Sequence, residues 1–189
     1  MKEFLEYISQ LGSLNEQQIS LLSQKATSVS LRKGDYFLEA GTIGQRVGFV
    51  VEGVFRVCHY TDQGEEVTHY FIEERRMIMD VRGLVENNAS PYHVQAVTDC
   101  QLLVFSAQDW RNLSATIAGW DAIVHKIIAK TLSQKLERIV PMLAQDAMTR
   151  YTSFMEKYPQ LVNRVPLAYL ASYLGITQSS LSRVRKNIR

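Results

Sequence analysis

Between Gly175 and the C-terminal Arg189 the chain sets out Thr177, Gln178, Ser179, Ser182, Arg183, Arg185 and Lys186. These side chains do no covalent chemistry together, but they suit the reading of a duplex. Arginine donates two parallel bonds to guanine O6 and N7, and glutamine pairs with adenine N6 and N7. Gln178, Ser179, Ser182 and Arg183 fall on one edge of a helix that starts after Thr177, with Lys186 continuing that edge. Arg185, Lys186 and Arg189 suit phosphate oxygens, where charge matters more than geometry. Leu181, Val184 and Ile188 fall on the opposite edge, which is expected to be buried.

Charge separates this end from the rest. Residues 157–189 hold six basic side chains and no acid, while the whole chain is only +2, so residues 1–156 sum to −4. Such a reversal predicts a nucleic-acid-facing end on a body that faces something else.

The elements that position these residues follow from spacing. Leu167, Leu170, Ala171 and Leu174 give a first helix with one apolar face. Gly175 supplies the left-handed residue that a tight corner requires. Ile176 plugs the corner, and Thr177 caps the second helix and stands within reach of a phosphate. The whole reads as a helix-turn-helix, whose second helix can lie in a major groove.

Upstream, residues 1–24 read as two helices, the second capped by Ser13 with Glu16 reaching back. From Ala26 to Phe105 short apolar runs alternate with turn signals at Lys33-Gly34-Asp35, Ala40-Gly41, Glu52-Gly53 and Asp62-Gln63-Gly64. About eight strands at this spacing predict a barrel or roll. Ser106 caps a further helix. After it, Ile117, Trp120, Val124, Ile127 and Thr131 form one apolar stripe, and Ile123, Ile128, Leu132, Leu136 and Ile139 a second. Two stripes need two partners. One is the chain's own roll and the other a second copy, and the first stripe is taken as the dimer face. Pro141 is expected to break this helix and place a hinge near Val140–Met142. A wholly intrachain core helix is the competing reading. The domains are therefore residues 1–115 (sensor roll), 116–140 (dimerisation helix) and 141–189 (DNA-binding helices).

Several classes are disfavoured. No long apolar run or export signal is seen, which predicts a cytoplasmic protein with no membrane contact. Cys58 and Cys100 match no metal spacing and read as buried thiols. No His-x-His or Ser-His-Asp grouping occurs, so neither a metal centre nor an enzyme is expected, and no cofactor is evident.

Helix pair, roll, long helix and helix-turn-helix in this order resemble the Crp/Fnr family of bacterial transcription regulators. The stretch Val165–Lys186 and the roll segments Lys33-Gly-Asp, Glu39-Ala-Gly, Val51-Glu-Gly and Asp62-Gln-Gly-Glu-Glu carry the likeness, which is strongest to compact Bacteroidetes-type members. The resemblance implies an α+β fold: N-terminal helices, a cyclic-nucleotide-binding-like jelly roll (double-stranded β-helix), a long dimerisation helix and a winged-helix-like C-terminal domain. It implies a homodimer on a two-fold symmetric double-stranded DNA site and, for an activator, contact with RNA polymerase. Gln178, Ser179 and Arg183 fall where the family reads bases, and Thr177 where it meets the backbone.

The resemblance also locates an effector pocket beside the long helix, with Phe71, Met79, Asp80, Ser90, Tyr92 and Val94 as its residues. Cyclic-nucleotide-binding members carry a Gly-Glu pair followed, ten residues beyond the Glu, by Arg-Ser/Thr. Here those places hold Met79-Asp80 and Ser90-Pro91. The loss of the arginine and of a backbone donor disfavours cyclic AMP and cyclic GMP. Arg75, Arg76 and Arg82 have no evident tie to the pocket. The absence of cysteine from residues 1–24 excludes the family's iron–sulfur sensor. His59, His69, His93 and His125 read as hydrogen-bonded or surface residues rather than haem ligands. The effector stays unknown. A second functional class stays open: a ligand-binding module whose basic helices dock a protein partner.

Overall fold

The computed structural model describes residues 1–188; the side chains of Arg138, Val140 and Ile188 lie outside that description. The expectations for Ile188 as part of the buried edge and for Arg189 as a phosphate contact therefore fall outside the described residues. Two helices come first, α1 (Lys2–Ser9) and α2 (Glu16–Lys25). Asn15, not Ser13, caps α2: its side chain accepts the Gln18 amide while Gln18 returns a bond to the Asn15 amide, both at 2.9 Å. Asparagine caps as well as serine, and Gln18 lies at the position the reciprocal pair requires.

Eight strands follow: β1 (Thr27–Leu31), β2 (Tyr36–Leu38), β3 (Arg46–Glu52), β4 (Phe55–Tyr60), β5 (Glu66–Ile72), β6 (Met77–Ile78), β7 (His93–Ala96) and β8 (Cys100–Ser106). They form two four-stranded antiparallel sheets, ordered β1-β8-β3-β6 and β2-β7-β4-β5. Between the sheets lies a core of Phe37, Val50, Phe55, Val57, Val94 and Leu102. The first sheet is also buried on its outer face. There Phe49 and Phe105 meet Phe4 and Ile8 of α1 and Trp110 of the next helix. A sheet covered on both faces explains why β3 buries four consecutive residues instead of alternating. At the β3–β4 corner Gly53 has φ +103°. An added Cβ would come within 2.5 Å of the Cys100 sulfur and 2.6 Å of a backbone oxygen, so only glycine fits.

Helix α3 (Ala107–Thr116) begins at the Ser106 cap. The chain then breaks at Gly119 (φ +83°) and re-enters as α4 (Trp120–Ala144). The first apolar stripe of α4 turns inward, and the second is buried only at its start, Ile123. Ile117, Trp120 and Ile127 are buried in the chain's own core, Val124 packs against the same cluster, and the Thr131 hydroxyl turns back to the Ile127 carbonyl. None of the first three is free to meet a partner. The exposed seam is Leu132, Leu136, Ile139 and Leu143, at 51–83% exposure. Periodicity reveals two stripes but does not rank them; the Trp110–Trp120 contact (centroids 5.0 Å apart) draws the first one inward.

Pro141 does not end the helix. It removes one amide donor on a solvent-facing turn, and α4 continues to Ala144. The break comes where Gln145 turns extended and Asp146 caps α5 (Ala147–Lys157), accepting the Thr149 amide at 2.8 Å. Helices α6 (Leu167–Leu174) and α7 (Gln178–Ile188) complete the chain. This end is helical throughout, with no strand among the described residues. Its core of Tyr151, Phe154, Leu170, Leu174 and Leu181 takes in Val54 and Val97 of the roll, so the two bodies share one apolar cluster.

Candidate nucleic-acid interface and effector pocket

Gly175 adopts φ +66° and ψ +36° between α6 and α7, and the Ile176 amide returns to the Ala171 carbonyl at 3.1 Å. This closes the end of α6 and turns the chain sharply. Thr177 Oγ1 accepts the Ser180 amide at 3.1 Å, as an N-cap should. Leu181 is fully buried and Val184 packs on the same cluster, which fixes the rotation of α7. The opposite face is then set: Thr177, Gln178, Ser179, Arg183 and Lys186 are exposed, and Ser182 and Arg185 are half-buried. Arg183 reaches the Ser180 hydroxyl at 3.4 Å. No carboxylate pairs with Arg183, Arg185 or Lys186 among the described residues, which leaves their charge for an outside anion.

The roll holds α6 through contacts that no local pattern announces. Arg56 of β4 is 1% exposed. Its guanidinium lies 3.5 Å from the centroid of the Tyr169 ring of α6 and forks onto Glu66 of β5 at 2.7 and 2.5 Å. It also donates to Gln95 of β7 at 3.0 Å. Burial opposes the charge on Arg56, but the bond to Glu66 and the surrounding attraction outweigh it and hold its pKa above the ordinary value. Burial likewise opposes ionisation of Glu66, and the Arg56 fork overcomes it, leaving that carboxyl below its usual range. Beside this stack, the Ser172 hydroxyl accepts the Thr68 amide (2.9 Å) and donates to the Glu66 carbonyl (3.2 Å). Phe71 packs on Tyr173 and Phe154, and Arg164 forks onto Glu74. Strand β5 is thus the seat of the helix-turn-helix.

A cavity of about 780 Å³ lies between the roll, α4 and the C-terminal helices. Phe71, Met79, Asp80, Ser90, Tyr92 and Val94 are among the residues that line it. Arg76 and Arg82 line it too, whereas Arg75 turns away to Glu6 at 3.1 Å. The Ser90–Pro91 corner has nothing to offer a phosphate. The Ser90 amide is committed to the Thr42 carbonyl (2.8 Å), its hydroxyl exchanges bonds with the Tyr92 backbone (3.1 and 3.2 Å), and Pro91 has no N–H. Asp80 is packed against Gly44 and Gly83, and its buried Oδ2 has no hydrogen-bond partner among the described residues.

The histidines that stand ten apart in sequence meet across β4 and β5, with His69 Nε2 2.7 Å from His59 Nδ1 and the His69 ring against Tyr92. His93 accepts the Ala40 amide. Cys58 and Cys100 are buried free thiols, and burial pushes both up. No cluster of three or more potential metal ligands occurs among the described residues, and no described helix is long and apolar enough to cross a membrane.

Residues 28–116 match the family model of the cyclic nucleotide-binding domain. No curated protein matches the sequence. Among solved structures the chain is similar to FixK2 from Bradyrhizobium japonicum, with a TM-score of 0.75 at 17% identity over 86% of this chain and 84% of that one. It is similar to the c-di-GMP responsive global regulator CLP of Xanthomonas campestris, at 0.73 and 14%, over 92% and 91% of the two chains. A Crp/Fnr-family transcriptional regulator from Eubacterium rectale gives 0.74 and 17%, over 92% and 83%. Residues 28–116 are thus similar to the cyclic nucleotide-binding domain, and the chain shares its overall fold with FixK2 and the Crp/Fnr-family regulator from Eubacterium rectale.

Proposed function

We propose that the chain is a sequence-specific DNA-binding transcription regulator that acts as a homodimer, not an enzyme. The observation that carries this is the outer face of α7: acid-free, exposed, and held in fixed rotation by Gly175, the Thr177 cap and buried Leu181. Gln178, Ser179, Ser182 and Arg183 read base edges, and Thr177, Arg185 and Lys186 bind the phosphate backbone.

The dimer forms through Leu132, Leu136, Ile139 and Leu143. Their 4–3–4 spacing is that of a coiled-coil seam, and four exposed large aliphatic residues on one helix face need a cover. A second copy supplies the same seam about a two-fold axis. The pocket serves as the effector site. Its wall includes Phe71, Phe154 and Tyr173, so an occupant touches both the roll and the C-terminal helices. The Gln145–Asp146 break lets these helices re-aim relative to α4. Regulation would then be a population shift between two settings of α7.

Binding to a random-sequence duplex at rising salt tests the DNA reading. The logarithm of affinity should fall linearly with the logarithm of salt concentration, with a slope set by the phosphates neutralised. A salt-independent affinity, or none at low ionic strength, would overturn it.

A further inference from the structure

His59 and His69 hold a place that neither the pocket nor the helix-turn-helix accounts for. Val57 pairs with Tyr70 and Cys58 with Thr68, so His69 is the extra residue of a bulge in β5. A bulge re-aims its side chain. Here the consecutive residues His69 and Tyr70 both line the cavity, where a regular strand would send them to opposite faces. His69 Nε2 thereby comes within 2.7 Å of His59 Nδ1, and both residues are half-buried, within reach of water. A bond between two imidazole nitrogens needs one protonated and one bare nitrogen. It holds in the neutral pair and in the singly charged pair. Once both rings are charged, two N–H groups and two positive charges face each other, and the bond is lost.

Tyr92 meets both rings near-perpendicular, its centroid 4.7 Å from that of His69 and 6.2 Å from that of His59. The same cavity wall carries Tyr70 from β5, Lys130 and Lys135 from α4, and Tyr158 and Tyr173 from the C-terminal helices. Its Arg76 lies 3.8 Å from Glu73 and its Arg82 3.9 Å from Glu86, while Arg56 and Glu66 of the two strands are paired with each other. Asp80 has its Oδ2 enclosed by Gly44 and Gly83. Among the described residues the charges around the pair are therefore cationic on balance, which sets them against a second imidazolium. The bulge also stands between two points at which β5 holds α6. On one side the amide of buried Thr68 donates to the Ser172 hydroxyl at 2.9 Å, and on the other Phe71 packs on Tyr173 with centroids 5.4 Å apart.

We propose that the His59–His69 pair is an acid-sensitive latch: the shared proton keeps the β5 bulge in the shape that seats α6, and charging both rings releases the C-terminal helices from the roll. The consequence, a loss of DNA affinity on acidification, rests on the reading of α7 as the DNA-binding helix; the latch itself is read without DNA.

Imidazole proton resonances of the full chain, followed from about pH 8 to about pH 5, test the latch together with hydrogen exchange of the β5 and α6 amides, corrected for the intrinsic effect of pH. His93 and His125, the other two histidines of the chain, serve as references. His59 and His69 should titrate as a coupled pair in two steps. The Thr68 amide should lose about tenfold in protection at the second step and not at the first. In His69→Gln the side-chain amide can bond His59 Nδ1 in either charge state, so protection of Thr68 should stay level throughout. Glu66 and Glu74 are held below the usual carboxylate range, so their loss of charge falls outside this interval. Independent titration of the two histidines, no second step above about pH 5, unchanged protection across that step, or the same acid loss in His69→Gln would each overturn the proposal. On a duplex selected from a random pool, affinity of the parent should fall about tenfold over the same interval, and that of His69→Gln should hold. A parent affinity that stays level would overturn the link to DNA. If exchange follows the pair while no duplex is bound at any pH, the regulator reading fails and the latch stands.

Discussion

The roll and the C-terminal helix pair solve opposite problems. The outer face of α7 takes its chemistry from one short run, Thr177 to Lys186, and needs only a rigid support behind it. The pocket draws its wall from β2, β4, β5, the β6–β7 connection, α4 and the C-terminal helices. Consequently a substitution on α7 should alter what is bound and leave the fold alone, whereas one in the roll core should unfold the sensor. Arg56 and Tyr169 are where these behaviours meet.

Trp120→Ala should have the largest effect. It empties a fully buried site between α3, α4 and the roll and should cost about 3–5 kcal/mol in urea unfolding. Leu136→Ala, on the other stripe of the same helix, should change the stability of the isolated fold by less than about 0.5 kcal/mol. It should instead move sedimentation towards monomer. If the two variants behave alike, the assignment of core and dimer faces fails.

Arg56→Ala comes next. It leaves Glu66 without its counter-charge and Tyr169 without its stacked guanidinium, at a cost of about 3 kcal/mol. Because it cuts the tie between β5 and α6, proteolysis should also find the C-terminal helices more readily. A variant as protease-resistant as the parent would mean that the two bodies are held by other contacts.

On α7 the effects are smaller and of another kind. Arg183→Ala should lose about 1–3 kcal/mol of discrimination at one base pair, whereas Lys186→Ala should weaken all duplexes alike and flatten the salt slope. Thr177→Ala removes the cap and should cost about 1 kcal/mol, read as a lower melting temperature of the C-terminal helices with the roll unchanged.

The mildest test is acid. Glu66 and Glu74 are held below the usual carboxylate range, after burial has been outweighed by their arginine partners. Their folded pKa values lie under the unfolded ones. Their stabilisation is therefore complete above the unfolded carboxylate pKa and is lost as pH falls through the folded values. Glu66→Gln should reduce the slope of stability against pH in that acidic window and change nothing at neutral pH dependence; an unchanged acid slope would remove Glu66 from the account.

The same contrast explains what was legible in the sequence. Gly175, Thr177, Leu181 and Arg183 act on neighbours within a few residues, so spacing alone identifies corner, cap and faces. The strands of the roll are legible because turns such as Asp62–Gly64 punctuate them, and Gly64 takes φ +80°. The pocket residues Phe71, Met79, Asp80, Ser90, Tyr92 and Val94 were reached only through the family resemblance. What escaped depends on distance. Arg56 and Tyr169 lie far apart in the chain, and an arginine inside a strand carries no sign that it will be buried. The meeting of His59 with His69 depends on cross-strand register, which is not written in either strand. Pro141 misleads because proline removes one donor without forbidding a helix on an exposed face, and the rank of the α4 stripes waited on where Trp110 would sit.

Selection of bound duplexes from a random pool by the full chain tests the central claim most directly. The account predicts enrichment of two-fold symmetric sites whose half-sites are centred about 34 Å apart, one turn of DNA. It further predicts that Arg183→Ala will blur one symmetric pair of positions and leave the spacing intact. A pool that stays random at low salt, or enrichment of single asymmetric sites by a monomer, would contradict it.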